Sequence, residues 1–220
     1  MYSFVEENYL KALLMLADEE GQTSVNDLSN HLKISMPTVN SMVKRLKGKD
    51  LVFYEKYKPV KLTELGHKEA ALIVRKHRLT EMFLVEQMGF GWEEVHDIAE
   101  QVEHIHSPAF FEKMDELLGH PTIDPHGSPI PDKEGNIEWK SYDKLSDCKA
   151  GDTVQLIAVV NGSKEFLEFL NGRELTLNQE VIIKTIEAFD KSMVVSYENH
   201  PSETLSATVC ERLLVEKTIF

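Results

Sequence analysis

Between Val95 and Ser107 the chain reads VHDIAEQVEHIHS, with three imidazoles and three carboxylates in thirteen residues. On a helix turning about 100° per residue, His96, Glu100, Glu103 and His104 fall within roughly one quadrant. Upstream, RKHRLTE sets His77 and Glu81 four residues apart, again on one helix face. One His–Glu pair at this spacing is ordinary on a solvated helix. Two pairs in neighbouring helices point to a divalent metal. Imidazole with carboxylate suits Mn, Fe, Co, Ni or Zn, and the absence of thiolate favours the harder end. DPHG adds Asp124 and His126 at i, i+2, but in ordinary turn dipeptides that carry little weight alone. A metalloenzyme that hydrolyses with a metal-bound water is the rival chemistry. Against it, no general base or nucleophile stands outside the ligand set.

The elements that position these residues follow from periodicity. Phe4 to Ala17 has an apolar helical pattern. Ser24 with Asp27 resembles a capping box, and Val25, Leu28 and Leu32 share one face of the helix it starts. Ser35 and Pro37 open another helix, with Val39, Val43 and Leu46 toward a core. LVFYEKYKPVKLT then reads as a hairpin around Lys58-Pro59. Two short helices with a tight turn and a hairpin describe a winged helix-turn-helix. Helices are predicted over Thr63 to Met88, Glu93 to His106 and Pro108 to Leu118. His120 to Ala150 is rich in Pro and Gly and reads as irregular. Beyond Gly151, DTVQLIAVV, EVIIKTIEAF and SMVVSY are strands and SKEFLEFL is a short helix, a pattern of a small SH3-type barrel. The expected fold is α+β and multidomain: a winged helix-turn-helix over 1–72, a helical dimerisation and metal-binding domain over 73–140 and an SH3-like β-barrel over 148–220.

Composition sets the context. The 220 residues carry a net charge of -13, which argues against indiscriminate coating of nucleic acid. The charge is uneven. Lys33 to Lys61 holds eight Lys/Arg against two acids, whereas Glu81 to Asp147 holds sixteen acids against four Lys/Arg. The first segment could meet an anion and the second collect cations. No apolar run reaches membrane-spanning length and Met1 opens no signal peptide. Two cysteines, Cys148 and Cys210, suggest no disulfide framework and a cytoplasmic, reducing setting.

RKHRLTE and VHDIAEQVEHIHS, behind SMPTVNSMVKRLKGKDLVFYEKYK, resemble the diphtheria-toxin-repressor family of metal-dependent bacterial transcriptional repressors. The resemblance covers the whole chain and leans toward the manganese transport regulators. It implies ligand roles for His77, Glu81 and His96. It matches Asp124 and His126 to a cysteine and a histidine that are ligands in the streptococcal manganese-regulator branch, and Glu100, Glu103 and His104 to a second cluster. Iron-responsive members have cysteine where this chain has Glu100, and manganese regulators have a carboxylate there. Asn8 stands where the first helix supplies a ligand, an aspartate in manganese regulators and a methionine in the iron type. Lys11 stands where two-domain manganese regulators place a glutamate. A further ligand is sought after the first strand of the C-terminal domain, between Asn161 and Glu165. The implied metal is Mn²⁺, with Fe²⁺ next and Zn²⁺ or Co²⁺ as in vitro substitutes. The implied targets are metal-homeostasis genes.

The helix from Pro37 to Lys47 is the predicted recognition helix, entering the major groove of double-stranded DNA by its N-terminal end. Ser35, Pro37, Thr38, Asn40 and Ser41 lie where base edges or the thymine methyl could be met. Lys44, Arg45 and Lys47, with Lys56, Tyr57 and Lys58 of the wing, are candidates for phosphates. Apolar residues among Phe83, Leu84, Phe90, Trp92, Ile98, Val102, Phe110 and Phe111 are expected to make a symmetric homodimer that addresses a palindromic operator. A winged-helix regulator indifferent to metal is the second alternative.

Overall fold

The structure is a computed structural model that describes residues 2–160 and 162–218. The chain divides into two compact units. One comprises Met1–Phe83, Asp97–Thr122 and Ile130–Glu138; the other comprises Leu84–His96, Ile123–Pro129 and Trp139–Phe220.

The first unit opens with α1 (Phe4–Met15), started by a full capping box. Ser3 Oγ accepts from the Glu6 amide while the Glu6 carboxylate accepts from the Ser3 amide. The Ser-x-x-Glu signature was there to be read. Next come β1 (Gln22–Thr23), α2 (Val25–Leu32) and α3 (Met36–Lys47). Ser24 caps α2 as its sequence predicts, accepting from the Asp27 amide at 3.0 Å. Ser35 is the N-cap of α3 but makes no side-chain cap bond; its hydroxyl lies 2.9 Å from that of Thr38. Val39, Val43 and Leu46 are fully buried, as their spacing requires. The hairpin is β2 (Val52–Phe53) and β3 (Val60–Leu62), and β1 completes a three-stranded sheet in the order β1-β3-β2. These helices and strands enclose one core that includes Tyr9, Leu10, Leu13, Leu28 and Leu51.

The long helix α4 (Glu64–Met88) begins against the wing: a Cβ on Gly66 would overlap the Leu51 carbonyl. The helix predicted from Glu93 to His106 is much shorter, α5 (His96–Val102). On its N-terminal side the Gly91 amide donates to Glu94 Oε2 in a turn. On its C-terminal side the last turn tightens, with the Ile105 amide donating to Val102 O. Pro108 disfavours the helical conformation at Ser107, and α6 (Pro108–Leu117) starts anew. Leu79, Phe111, Met114 and Ile130 form a small core of their own.

In the second unit six strands form one antiparallel sheet in the order β4-β9-β5-β6-β7-β8. They are β4 (Asp143–Lys144), β5 (Thr153–Val159), β6 (Glu180–Ile186), β7 (Met193–Tyr197), β8 (His200–Leu205) and β9 (Leu213–Lys217), with helices α7 (Lys164–Asn171) and α8 (Ala207–Cys210) between them. This is the SH3-like domain. Its core is aliphatic, Leu156, Ile183, Val195, Leu213 and Val215 among it, and contains both cysteines, which are unpaired. Trp92 packs against the same core, and its indole donates to Asn171 Oδ1 at 2.7 Å.

Candidate metal centre and nucleic-acid interface

In the first unit α4 buries five consecutive residues, His77 to Glu81. Two of them, His77 and Glu81, belong to the predicted set and lie one turn apart. His77 Nε2 is 3.0 Å from Glu81 Oε1, and His77 Nδ1 is 2.6 Å from Glu103 Oε2. Glu100 Oε1 approaches the same nitrogen to 3.8 Å. Burial opposes a charge on His77, but the bonds to Glu103 and Glu81 outweigh it and push the imidazolium up to about 9. Glu103 is completely buried, yet its hydrogen bond to His77 and the Lys11 ammonium hold its carboxyl below the usual range.

That ammonium comes from α1. Lys11 Nζ is 2.5 Å from Glu100 Oε1 and 2.7 and 2.8 Å from the two oxygens of Glu103. On the same helix Glu7 is buried, with Oε2 2.6 Å from His104 Nδ1. His104 stacks on Phe4 with ring centroids 4.6 Å apart, and His106 Nδ1 lies 3.9 Å from Glu7 Oε1. Because α5 ends at Val102, Glu103 and His104 sit past the helix rather than on one stripe with His96 and Glu100. His96 opens α5 and Glu100 follows one turn later.

Asp124 and His126 lie in a tight loop of the second unit. Asp124 Oδ1 accepts from the amides of His126 and Ser128, both within 2.9 Å, and the Val159 amide donates to His126 O. Gly127 makes this possible: its φ is +88°, and a Cβ there would sit 2.4 Å from Ala158 Cβ. His126 Nε2 donates to the Trp92 carbonyl at 2.9 Å. A carbonyl can only accept, so this bond places the proton on Nε2 and, in the neutral ring, the lone pair on Nδ1.

The predicted DNA surface is a groove of about 990 Å³ between α3 and the wing, lined by Pro37, Asn40, Lys44, Lys56, Tyr57 and Lys58 among others. Ser35, Pro37, Thr38, Ser41 and Lys44 are exposed along α3, as are Lys56, Tyr57 and Lys58 on the wing. Besides the Ser35–Thr38 pair and Lys58, which pairs with Glu55 at 2.7 Å, three predicted residues have structural ties. The Tyr54 hydroxyl donates to Asn40 Oδ1 at 2.6 Å, Lys47 Nζ donates to Tyr54 O at 2.9 Å, and Arg45 Nε pairs with Glu6 at 3.0 Å. Asn40 and Lys47 thus fasten the wing to α3.

Residues 1–60 match the family model "Iron dependent repressor, N-terminal DNA binding domain", and residues 63–132 match "Iron dependent repressor, metal binding and dimerisation domain". The iron-dependent repressor IdeR of Mycobacterium bovis is 30% identical over 224 residues, covering 96% of each chain. The chain belongs to the iron-dependent repressor family. Among solved structures similar to this repressor, a manganese-dependent transcriptional repressor in complex with manganese has a TM-score of 0.87 at 27% identity, over 97% of this chain and 100% of that one. The repressor ScaR with bound Zn²⁺ has a TM-score of 0.79 at 28% identity, over 97% and 99%. The chain is accordingly a metal-dependent transcriptional repressor rather than an enzyme. It carries the family's DNA-binding and dimerisation domains and takes a divalent metal, manganese or iron.

The donor chemistry of the repressor fits such an ion. Buried carboxylates and imidazoles supply hard and borderline atoms. Asn8 on α1 holds a buried Oδ1 with no hydrogen-bond partner, an oxygen suited to a cation. Thiolates are not on offer: both cysteines lie in the SH3-like core, and burial pushes Cys210 up to about 11. Asn161 lies outside the described residues, and Glu165 is in the first turn of α7. Sequence reasoning missed Glu7 as a partner of His104 and the Trp92 carbonyl as the group that orients His126. An acidic pair, Glu6-Glu7, inside a mainly apolar helix was the available signal for Glu7. Nothing local marks Trp92 for that role.

Proposed function

We propose that this repressor acts in the cytoplasm as a homodimer on a palindromic operator of metal-uptake genes. Mn²⁺ is its corepressor, with Fe²⁺ next. We assign the ligands to His77, Glu81, His96, Asp124 and His126, with Glu100, Glu103, His104 and Asn8 as a second, weaker cluster, and the domains to 1–72, 73–140 and 148–220. The observation that carries this reading is the buried His77–Glu81 pair with Glu103 beside it. Folding alone disfavours so many ionisable groups out of water, and a cation-binding role accounts for them. A bound divalent ion supplies positive charge that offsets repulsion among the carboxylates.

The chain's own residues do the rest. Glu81 and His77 present their donors from one face of α4. Asp124 holds its loop by accepting two amides, and Trp92 O orients the His126 ring. Thr38, Ser41 and Lys44 face outward from α3 to meet DNA, and Lys56 and Lys58 offer phosphate contacts from the wing. Phe110 and Leu117, exposed on α6, are apolar enough to meet a second copy.

Mobility shifts of operator DNA, titrated with Mn²⁺, Fe²⁺ and Zn²⁺ under reducing conditions, test the reading. Metal should strengthen the wild-type shift. Glu81→Ala and His126→Ala should each lose most of that gain while remaining folded without metal. Full metal stimulation in both variants contradicts the assigned ligands.

A further inference from the structure

We propose that Lys11 is a tethered cation that occupies one cation position of the acidic cluster, so that the wild-type repressor takes one fewer divalent ion per protomer than its carboxylates would otherwise hold. The inference rests on the reading that the remaining donors bind divalent metal. An ammonium has three N–H donors. Those of Lys11 face three carboxylate oxygens, Glu100 Oε1 at 2.5 Å and Glu103 Oε1 and Oε2 at 2.7 and 2.8 Å. Its side chain is 15% exposed, that of Glu103 is 0% and that of Glu100 is 35%, so water screens the Glu103 contact little and the Glu100 contact more. A divalent ion could use these oxygens only by displacing the ammonium, whose N–H groups already occupy them, and Glu103 Oε2 is further engaged by His77 Nδ1 at 2.6 Å.

The environment is otherwise that of a hard-ion site. Three residues before Lys11, on the same face of α1, Asn8 keeps a buried Oδ1 without a hydrogen-bond partner. With the ammonium gone, Glu100, Glu103 and Asn8 would offer oxygen donors of the kind Mn²⁺ prefers. The Lys11 contacts also join α1 to residues 89 and 92 positions later, so α1 is tied to the α5 region by a covalently supplied charge at any metal concentration.

The test is the number of Mn²⁺ ions bound per protomer by the full chain, from the loss of the free-ion paramagnetic resonance signal. Wild type, Lys11→Met and Lys11→Arg are compared. Lys11→Met should bind one more equivalent than wild type, and Lys11→Arg, which keeps the charge, should match wild type. Equal counts in wild type and Lys11→Met, or a gain in Lys11→Arg, overturn the proposal. Should Lys11→Met be too unstable without metal to count, its unfolding temperature is followed instead. Mn²⁺ must then raise it more than it raises that of wild type, and an equal or smaller rise overturns the proposal. A wild type that binds no Mn²⁺ overturns the proposed function, a result distinct from equal counts.

Discussion

Individual residues in this repressor hold charges that water would otherwise claim. Glu6 is 1% exposed. Burial alone would raise its carboxyl, but Lys49 at 2.6 Å, the Ser3 amide and Arg45 at 3.0 Å outweigh that and lower it to about 2. The sign follows directly: a carboxyl lowered in the folded state stabilises it above about 4.5, and the contribution is lost as pH falls toward about 2. The difference corresponds to roughly 3 kcal/mol. Urea unfolding of wild type and Glu6→Gln should therefore show a gap of up to about that size at pH 7, narrowing at pH 3. A gap of the same size at both pH values contradicts the assignment. At this scale the candidate site was partly legible. Donor types and helical spacing named His77, Glu81 and Glu100. Spacing could not reveal that Lys11 meets Glu100 and Glu103 across about ninety residues, because only folding creates that contact.

Elements carry the next constraint, the aim of each donor. The Asp124–Ser128 loop holds its shape through two amide bonds to Asp124 and the Val159 amide on His126 O. Gly127 has no room for a side chain against Ile157 and Ala158. Gly127→Ala should cost about 1–3 kcal/mol through overpacking and also weaken metal binding by displacing His126. Thermal unfolding and Mn²⁺ calorimetry read the two effects, and wild-type values in both would refute this role for the loop. Legibility differed among elements for a physical reason. Helices α1 to α4 and the β2–β3 hairpin have local signals: caps, apolar faces and turn residues. The extent of α5 was overread because histidines and acids fit a helical pattern that Pro108 and the turn at Gly91 cut short. Strand β8, HPSETL, is polar and begins beside a proline at the sheet edge, and β9 pairs with β4 and β5, whose partner residues lie 54 to 72 positions earlier. Such long-range pairing leaves no local trace in the chain.

For the whole molecule, the uneven charge seen in the sequence corresponds to a division of labour. The basic stretch from Lys33 to Lys61 forms the α3–wing groove, and the acidic stretch from Glu81 to Asp147 holds most of the proposed ligands. The expectation of a winged helix, a helical dimerisation region and an SH3-like domain matches the family and its solved relatives. A repressor of this kind couples two binding equilibria, and a coupling of roughly 1–3 kcal/mol changes affinity about 5- to 150-fold in either direction. The most direct measurement is fluorescence anisotropy of a labelled palindromic operator, with saturating Mn²⁺ and again with chelator. Operator binding should be tighter with Mn²⁺ by a factor of that order, whereas equal affinity under the two conditions would contradict the account.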